Sequence, residues 1–159
     1  WTRKGIDKTY CMRMIEDLPK KIKAKGTVDI RGELYGRGLI SARSQRLAAG
    51  HLRKKQPSGM GLSFCAFQIF DGKGTEISNL QQLVKWGFHV CGHIKVEKNV
   101  VCGVKLLHSQ WQDSLIFSRY PTDGIVVKVL DKDLQDKIGR TSIAPSWATA
   151  IKDVWKKTW

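Results

Sequence analysis

Acidic side chains are scarce in this sequence. Fourteen Asp plus Glu stand against 28 Lys plus Arg, a formal net charge of +14 over 159 residues. A surplus of this size points to a polyanionic partner, either nucleic acid or an anionic membrane surface. Long apolar runs are absent too. None approaches the ~18 residues a membrane-spanning helix needs, and the most apolar stretches, 99–107 and 124–130, are broken by Lys105 and Lys128. The start carries no signal-peptide pattern. Cysteine is limited to Cys11, Cys65, Cys91 and Cys102, irregularly spaced and without a C-x-x-C pair. Three of them lie in apolar stretches, where a free thiol behaves as a small buried hydrophobe. These absences argue against a membrane protein, a collagen-like chain and a disulfide miniprotein, and for a reducing, intracellular setting. No repeat or low-complexity segment occurs, and nothing resembles a P-loop, a G-x-S-x-G elbow or a zinc ribbon.

What is present is globular. Hydrophobic residues make up 42% and charged residues 26%, and the length suits one domain with a single core. Residues 7–17 are predicted as a short helix, with Asp7 as N-cap, Cys11, Ile15 and Leu18 as its apolar stripe and Pro19 as its stop. A basic connector, 20–25, follows. Alternation over 27–35 predicts a strand with Val28, Ile30 and Leu34 on one face and Asp29, Arg31 and Glu33 on the other. A helix is expected over 41–55, a loop over 56–61, a buried strand over 62–70 and a turn over 71–74. Residues 75–86 make the strongest helix, with Ile77, Leu80, Leu83 and Val84 on one face and Gly87 as C-terminal cap. Further strands are expected over 88–96, 124–130 and 146–152, with a short helix over 131–138 ended by Gly139. Mixed elements in this order suggest an α+β domain.

Several residues point to chemistry. Lys128 sits inside the β-branched run GIVVKVL, beside Val126 and Leu130 on its own face. A buried ammonium must find an anion, lose its proton or reach water, so either an edge strand with one wet face or an anionic ligand is implied. Asp123, at the strand entrance, is a candidate partner for it or a metal ligand. In SWATAIK, alternation puts Ala148, Ala150 and Lys152 on one face, leaving volume beside a lysine that a ligand can occupy. Glu33 shares a face with Arg31 and can pair with it or accept from a ribose; Phe67 is either core or a stacking wall for a base. On the helix 41–55, Arg43, Arg46, Gly50 and Arg53 fall on one face, with Leu47, Ala48 and Leu52 on another. That arrangement suits a phosphate chain, or is simply a solvated basic face. His89, Cys91 and His93 alternate onto one strand face, but no fourth metal ligand lies at a sensible spacing.

Taken in order, these stretches resemble the adenylation (nucleotidyltransferase) domain of NAD-dependent DNA ligases. RGELY resembles the family's R-G-E strand and RLAAGHLR its A-A-G-x-L-R segment. FCAF resembles the strand bearing an adenine-stacking aromatic, and LQQLVKWGFHV the helix and W-G-F turn that follow. TDGIVVKV resembles I-D-G-V-V-x-K-V, and IGRTSIAPSWATAIK the stretch L-G-x-T-x-x-A-P-x-W-A-x-A-x-K. The resemblance runs from about Gly5 to Lys152.

The resemblance implies a largely antiparallel nucleotidyltransferase sheet with flanking helices, here incomplete. It implies NAD and Mg²⁺ as cofactors and nicked duplex DNA as partner. Glu33 would bind the AMP ribose, Phe67 would stack on adenine, and Asp123 would help hold the nucleotide. Lys128 and Lys152 would act on the phosphate as catalytic groups. Arg43, Arg46 and Arg53 would grip DNA phosphates, Arg46 and Arg53 beside the nick. The family's nucleophile is the lysine of a K-x-D-G motif, which this sequence lacks. The start resembles the region downstream of that lysine, so the expectation is a partial adenylation domain over 1–159. Neither an oligonucleotide-binding barrel nor a zinc, helix-hairpin-helix or BRCT region is read in it. It would be inactive alone, with the lysine supplied by the rest of a ligase chain or by a second ligase subunit. The implied location is the cytoplasm, with no membrane partner. The alternative is a non-catalytic nucleic-acid-binding module derived from the same fold.

Overall fold

A computed structural model describes residues 5–37, 42–54, 61–70, 72–119, 122–142 and 144–153; the side chains of 42, 43 and 45 are outside that set. Contacts divide the chain into two compact units, residues 1–91 and 92–159, where length alone suggested one core.

In the first unit, α1 (Thr9–Arg13) is only five residues long, shorter than the helix expected over 7–17. Its N-cap is Lys8, without a side-chain cap bond, and not Asp7 as expected; the Asp7 carboxylate, one residue earlier, accepts from the Thr9 backbone N–H at 2.8 Å and hydroxyl at 2.7 Å. The chain then turns, and the Lys20 ammonium donates to the carbonyls of Arg13 and Ile15. Cys11 and Ile15 are buried, as the stripe predicted.

Strand β1 (Ile30–Gly36) pairs antiparallel with β2 (Leu62–Ile69), and β2 pairs parallel with β3 (His89–Val90). The strand expected over 88–96 is therefore two residues. Its ladder, ending with the Cys91 N–H on the Ala66 carbonyl, stops where β2 bulges at Phe67, and a bulge ends regular pairing. Two apolar clusters lie on one side of this sheet: Ile15, Ala48 and Leu62, and Ala66 with Leu80 and Leu83.

Helix α2 (Ala42–Arg53) packs on β1, and α3 (Glu76–Lys85) on β2. The Thr75 hydroxyl caps α3 by accepting from Ser78 N–H. At its other end Gly87 takes φ +88°, and Phe88 and Gly87 donate to the carbonyls of Leu83 and Val84, closing the helix. Val84, expected on the apolar face, is 55% exposed. The predicted loop 56–61 lies outside the described residues except for Gly61, and Asp71 of the predicted turn lies outside them as well.

The second unit holds α4 (Val100–Gln112), β4 (Gly124–Lys128), α5 (Lys132–Ile138) and β5 (Ala148–Lys152). Gly139 ends α5 as expected, and Asp131, expected as its first residue, is its N-cap. The α4 helix was not foreseen; its N-terminal Asn99 makes no side-chain cap bond and its first turn has no acid. Its Cys102 is exposed and Cys91 half-buried, so only Cys11 and Cys65 behave as buried thiols. Among the described residues, no helix is long and apolar enough to cross a membrane.

Candidate functional site

Antiparallel pairing of β4 and β5 sets Gly124 opposite Lys152, Val126 opposite Ala150 and Lys128 opposite Ala148. Directly opposed residues project from the same face, so Lys128 and Lys152 lie at the two ends of one face, with Val126, Ala148 and Ala150 between them. Four residues of strand separate the two levels, roughly 13 Å. The opposite face carries Ile125, 9% exposed, and half-buried Val127 and Ile151. The lysine face is open: Val126 is 62% exposed and the Lys152 side chain 64%. Lys128 is half-buried, with Nζ 6.0 Å from the Trp147 ring centroid, at the outer reach of a cation–π contact.

Asp123 pairs with Lys152, not with the Lys128 anticipated from sequence as one option. Lys152 Nζ donates to its carboxylate at 2.8 Å. That hydrogen bond, and then the charge of Asp123, raise the Lys152 pKa above the ordinary lysine range. Glycine at 124 permits the approach: a Cβ there would meet the Ile151 carbonyl oxygen and lie 2.8 Å from Lys152 Cα. Sequence reasoning missed Gln135. It is 3% exposed on α5, and its amide donates to the Val129 carbonyl, fixing the backbone next to Lys128. The sequence carried no signal for it, because the apolar residues of α5, Leu134 and Ile138, are 45% and 41% exposed while the polar Gln135 is the buried one.

In the first unit, Glu33 is exposed on β1 opposite Cys65. Arg31 turns to Phe70, its guanidinium carbon 3.9 Å from the ring centroid. Between Arg31 and Gly32 the register shifts: Arg31 faces Gln68 and Gly32 faces Ala66, leaving Phe67 as the extra residue of β2. Such a bulge re-aims a side chain, and Phe67 is 37% exposed instead of core. A Cβ on Gly32 would strike the Phe64 ring and come within 2.5 Å of the Cys65 carbonyl oxygen, which explains the glycine of R-G-E.

The α2 helix is anchored by another residue that sequence reasoning passed over. Ser44 is fully buried and exchanges hydrogen bonds with the Gly36 N–H and carbonyl at 2.8 and 3.1 Å. With Ser44 and Ala48 inward, Arg46, Gly50 and Arg53 face outward, as the helical stripe predicted. Leu47, assigned to the apolar face, is 37% exposed. The Arg43 side chain lies outside the described residues.

Among the described residues, no group of three or more His, Cys, Asp or Glu is placed to hold a metal. Within HVCGH, β3 ends at Val90, and His89 Nδ1 lies 3.5 Å from Asp17. Mg²⁺ needs no protein cage where substrate phosphates supply most of its oxygen ligands. An open ribbon face with a lysine at each end and two alanines between them suits a phosphorylated ligand.

Residues 37–154 match the family model of the NAD-dependent DNA ligase adenylation domain, and the chain belongs to that family. It is similar to proteins named DNA ligase from Saccharophagus degradans, at 31% identity over 93% of this chain and 26% of that protein, and from Cytophaga hutchinsonii, at 30% identity over 94% and 26%. The DNA ligase of Anaplasma phagocytophilum is 32% identical over 93% of this chain and 24% of its own length. The chain thus spans about a quarter of the length of the curated relatives it matches.

Proposed function

We propose that this chain holds AMP during its passage from NAD to the 5′-phosphate of nicked duplex DNA, as part of an NAD-dependent DNA ligase. One observation carries the reading: Lys128 and Lys152 share one face of the β4–β5 ribbon across small side chains. Phosphoryl-group transfer is accelerated mainly by fixed positive charge around the oxygens of the transferred group, and these two ammoniums supply it. Glu33 accepts from the ribose hydroxyls, Phe67 stacks on adenine, and Asp123 orients Lys152 beside the nucleotide. Arg43, Arg46 and Arg53 take DNA phosphates.

A lysine amine attacks the α-phosphorus of NAD, and nicotinamide mononucleotide leaves. The DNA 5′-phosphate then takes AMP from that lysine, and the 3′-hydroxyl attacks the 5′-phosphate and expels AMP. Since the 159 residues contain no K-x-D-G, the nucleophile is assigned to ligase polypeptide outside them, on the same or a second chain. Mg²⁺, when bound, would be held chiefly by the substrate phosphates and would offset their charge. The setting is the cytoplasm, where NAD and DNA meet.

In the complete ligase, Lys128→Ala and Lys152→Ala are each expected to slow sealing by about 10²-fold or more, the usual cost of one transition-state donor, while affinity for nicked DNA stays within about twofold. Unchanged sealing in both variants overturns the reading. Sealing driven by ATP in place of NAD would move the protein to the ATP-dependent class. The 159-residue chain incubated with labelled NAD and Mg²⁺ is expected to form no adduct; stable AMP on it would overturn the outside nucleophile.

A further inference from the structure

We propose that segment 20–25 is a second phosphate-binding surface that grips the duplex backbone separately from the arginines of α2. The inference rests on DNA being the substrate, as proposed above. The segment reads KKIKAK, four lysines and no acid. Lys20 is committed to the carbonyls of Arg13 and Ile15. The remainder alternates: Lys21, Lys23 and Lys25 are exposed, while Ile22 and Ala24 are half-buried.

Two residues of chain separate neighbouring exposed lysines, so their Cα atoms lie within roughly 7 Å of one another. That is less than the ~8 Å screening length at physiological salt, so the three ammoniums act as one patch. Among the described residues, no carboxylate pairs with them. Like charges this close repel, and a polyanion relieves the repulsion while releasing its own condensed counterions. The backbone beneath is held from both sides. Leu18 packs against the cluster of Ile15, Ala48 and Leu62, and the Trp86 indole donates to the Lys23 carbonyl at 3.0 Å. A patch ordered before binding loses less freedom on contact. A lipid surface is the poorer fit, because membrane-binding segments set apolar side chains into the bilayer beside their basic ones, and here the apolar ones are on the opposite side of the segment from the lysines.

The test is the triple variant Lys21→Gln, Lys23→Gln, Lys25→Gln in the complete ligase, titrated by fluorescence anisotropy onto a nicked, 5′-phosphorylated duplex between about 50 and 200 mM salt. Three lost phosphate contacts reduce the slope of log K against log salt by about 2.7, so the wild-type advantage shrinks about 40-fold across that range. The triple Lys→Arg variant keeps the wild-type slope. Should the triple Gln variant melt early, Lys21→Gln and Lys25→Gln singly decide, each lowering the slope by about 0.9. A slope unchanged by the substitutions, in an enzyme that still seals, overturns this proposal and leaves the ligase reading standing. A wild type that binds no DNA overturns both.

Discussion

Lys152 illustrates how one contact shapes a candidate catalytic group. Its pKa is raised because Asp123 hydrogen-bonds the ammonium and adds its negative charge. A raised folded-state value means that the pair stabilises the fold fully below the ordinary lysine pKa and is lost as pH rises through the raised one. Lys152 therefore stays charged across the neutral range, and no alkaline fall in sealing below about pH 9.5 belongs to it. Lys152→Arg, whose guanidinium does not titrate there, is expected to reproduce the wild-type shape of the pH–rate profile in whatever activity it retains. A limb near about pH 8–9 that disappears in the arginine variant would refute this. The sequence located both lysines by their alternation with alanine and valine. It left Asp123 uncommitted, because a side chain at a strand entrance can turn to any neighbour and only the strand register decides which. Phe67 is similar: by composition it belonged to a buried strand, and a bulge exposed it.

Helices and strands were legible to different degrees, for local reasons. The α3 helix carries its own boundaries, a threonine cap and a glycine at positive φ, and its predicted limits match the observed ones within a residue. Thr75→Ala is expected to cost about 1 kcal/mol by leaving a first-turn N–H without its acceptor; thermal unfolding of the variant measures it. By contrast, α4 has no such signals, and its exposed Val100, Val101 and Leu106 blur the helical period. Its inner row packs on β4, and Trp111 and Gln112 at its C-terminal end bond Thr122 and Asp153. These contacts come from residues distant in sequence, so no local reading reveals them. The short β3 has the same origin, since its length depends on where β2 bulges.

Across the whole chain, apolar burial is uneven. Both clusters of buried hydrophobic residues among the described residues lie in the first unit, whereas Ile125 is the one buried hydrophobic residue described in the second. Amides with little apolar cover open more easily. Hydrogen exchange should therefore run faster in β4 and β5 than in β1, β2 and α3, and equal protection in both sets would contradict this. By itself the amino-acid order determined the positive charge, the α+β alternation of elements, the glycine ends of α3 and α5 and the ordered motifs of the adenylation family, because each depends on residue type or on neighbours a few positions apart. Tertiary structure alone decided that Asp123 meets Lys152, that Phe67 turns outward, that Ser44 and Gln135 anchor backbone, and that 100–112 coils into a helix. Those outcomes depend on strand register and on packing between distant segments, and no local stretch of sequence contains that information.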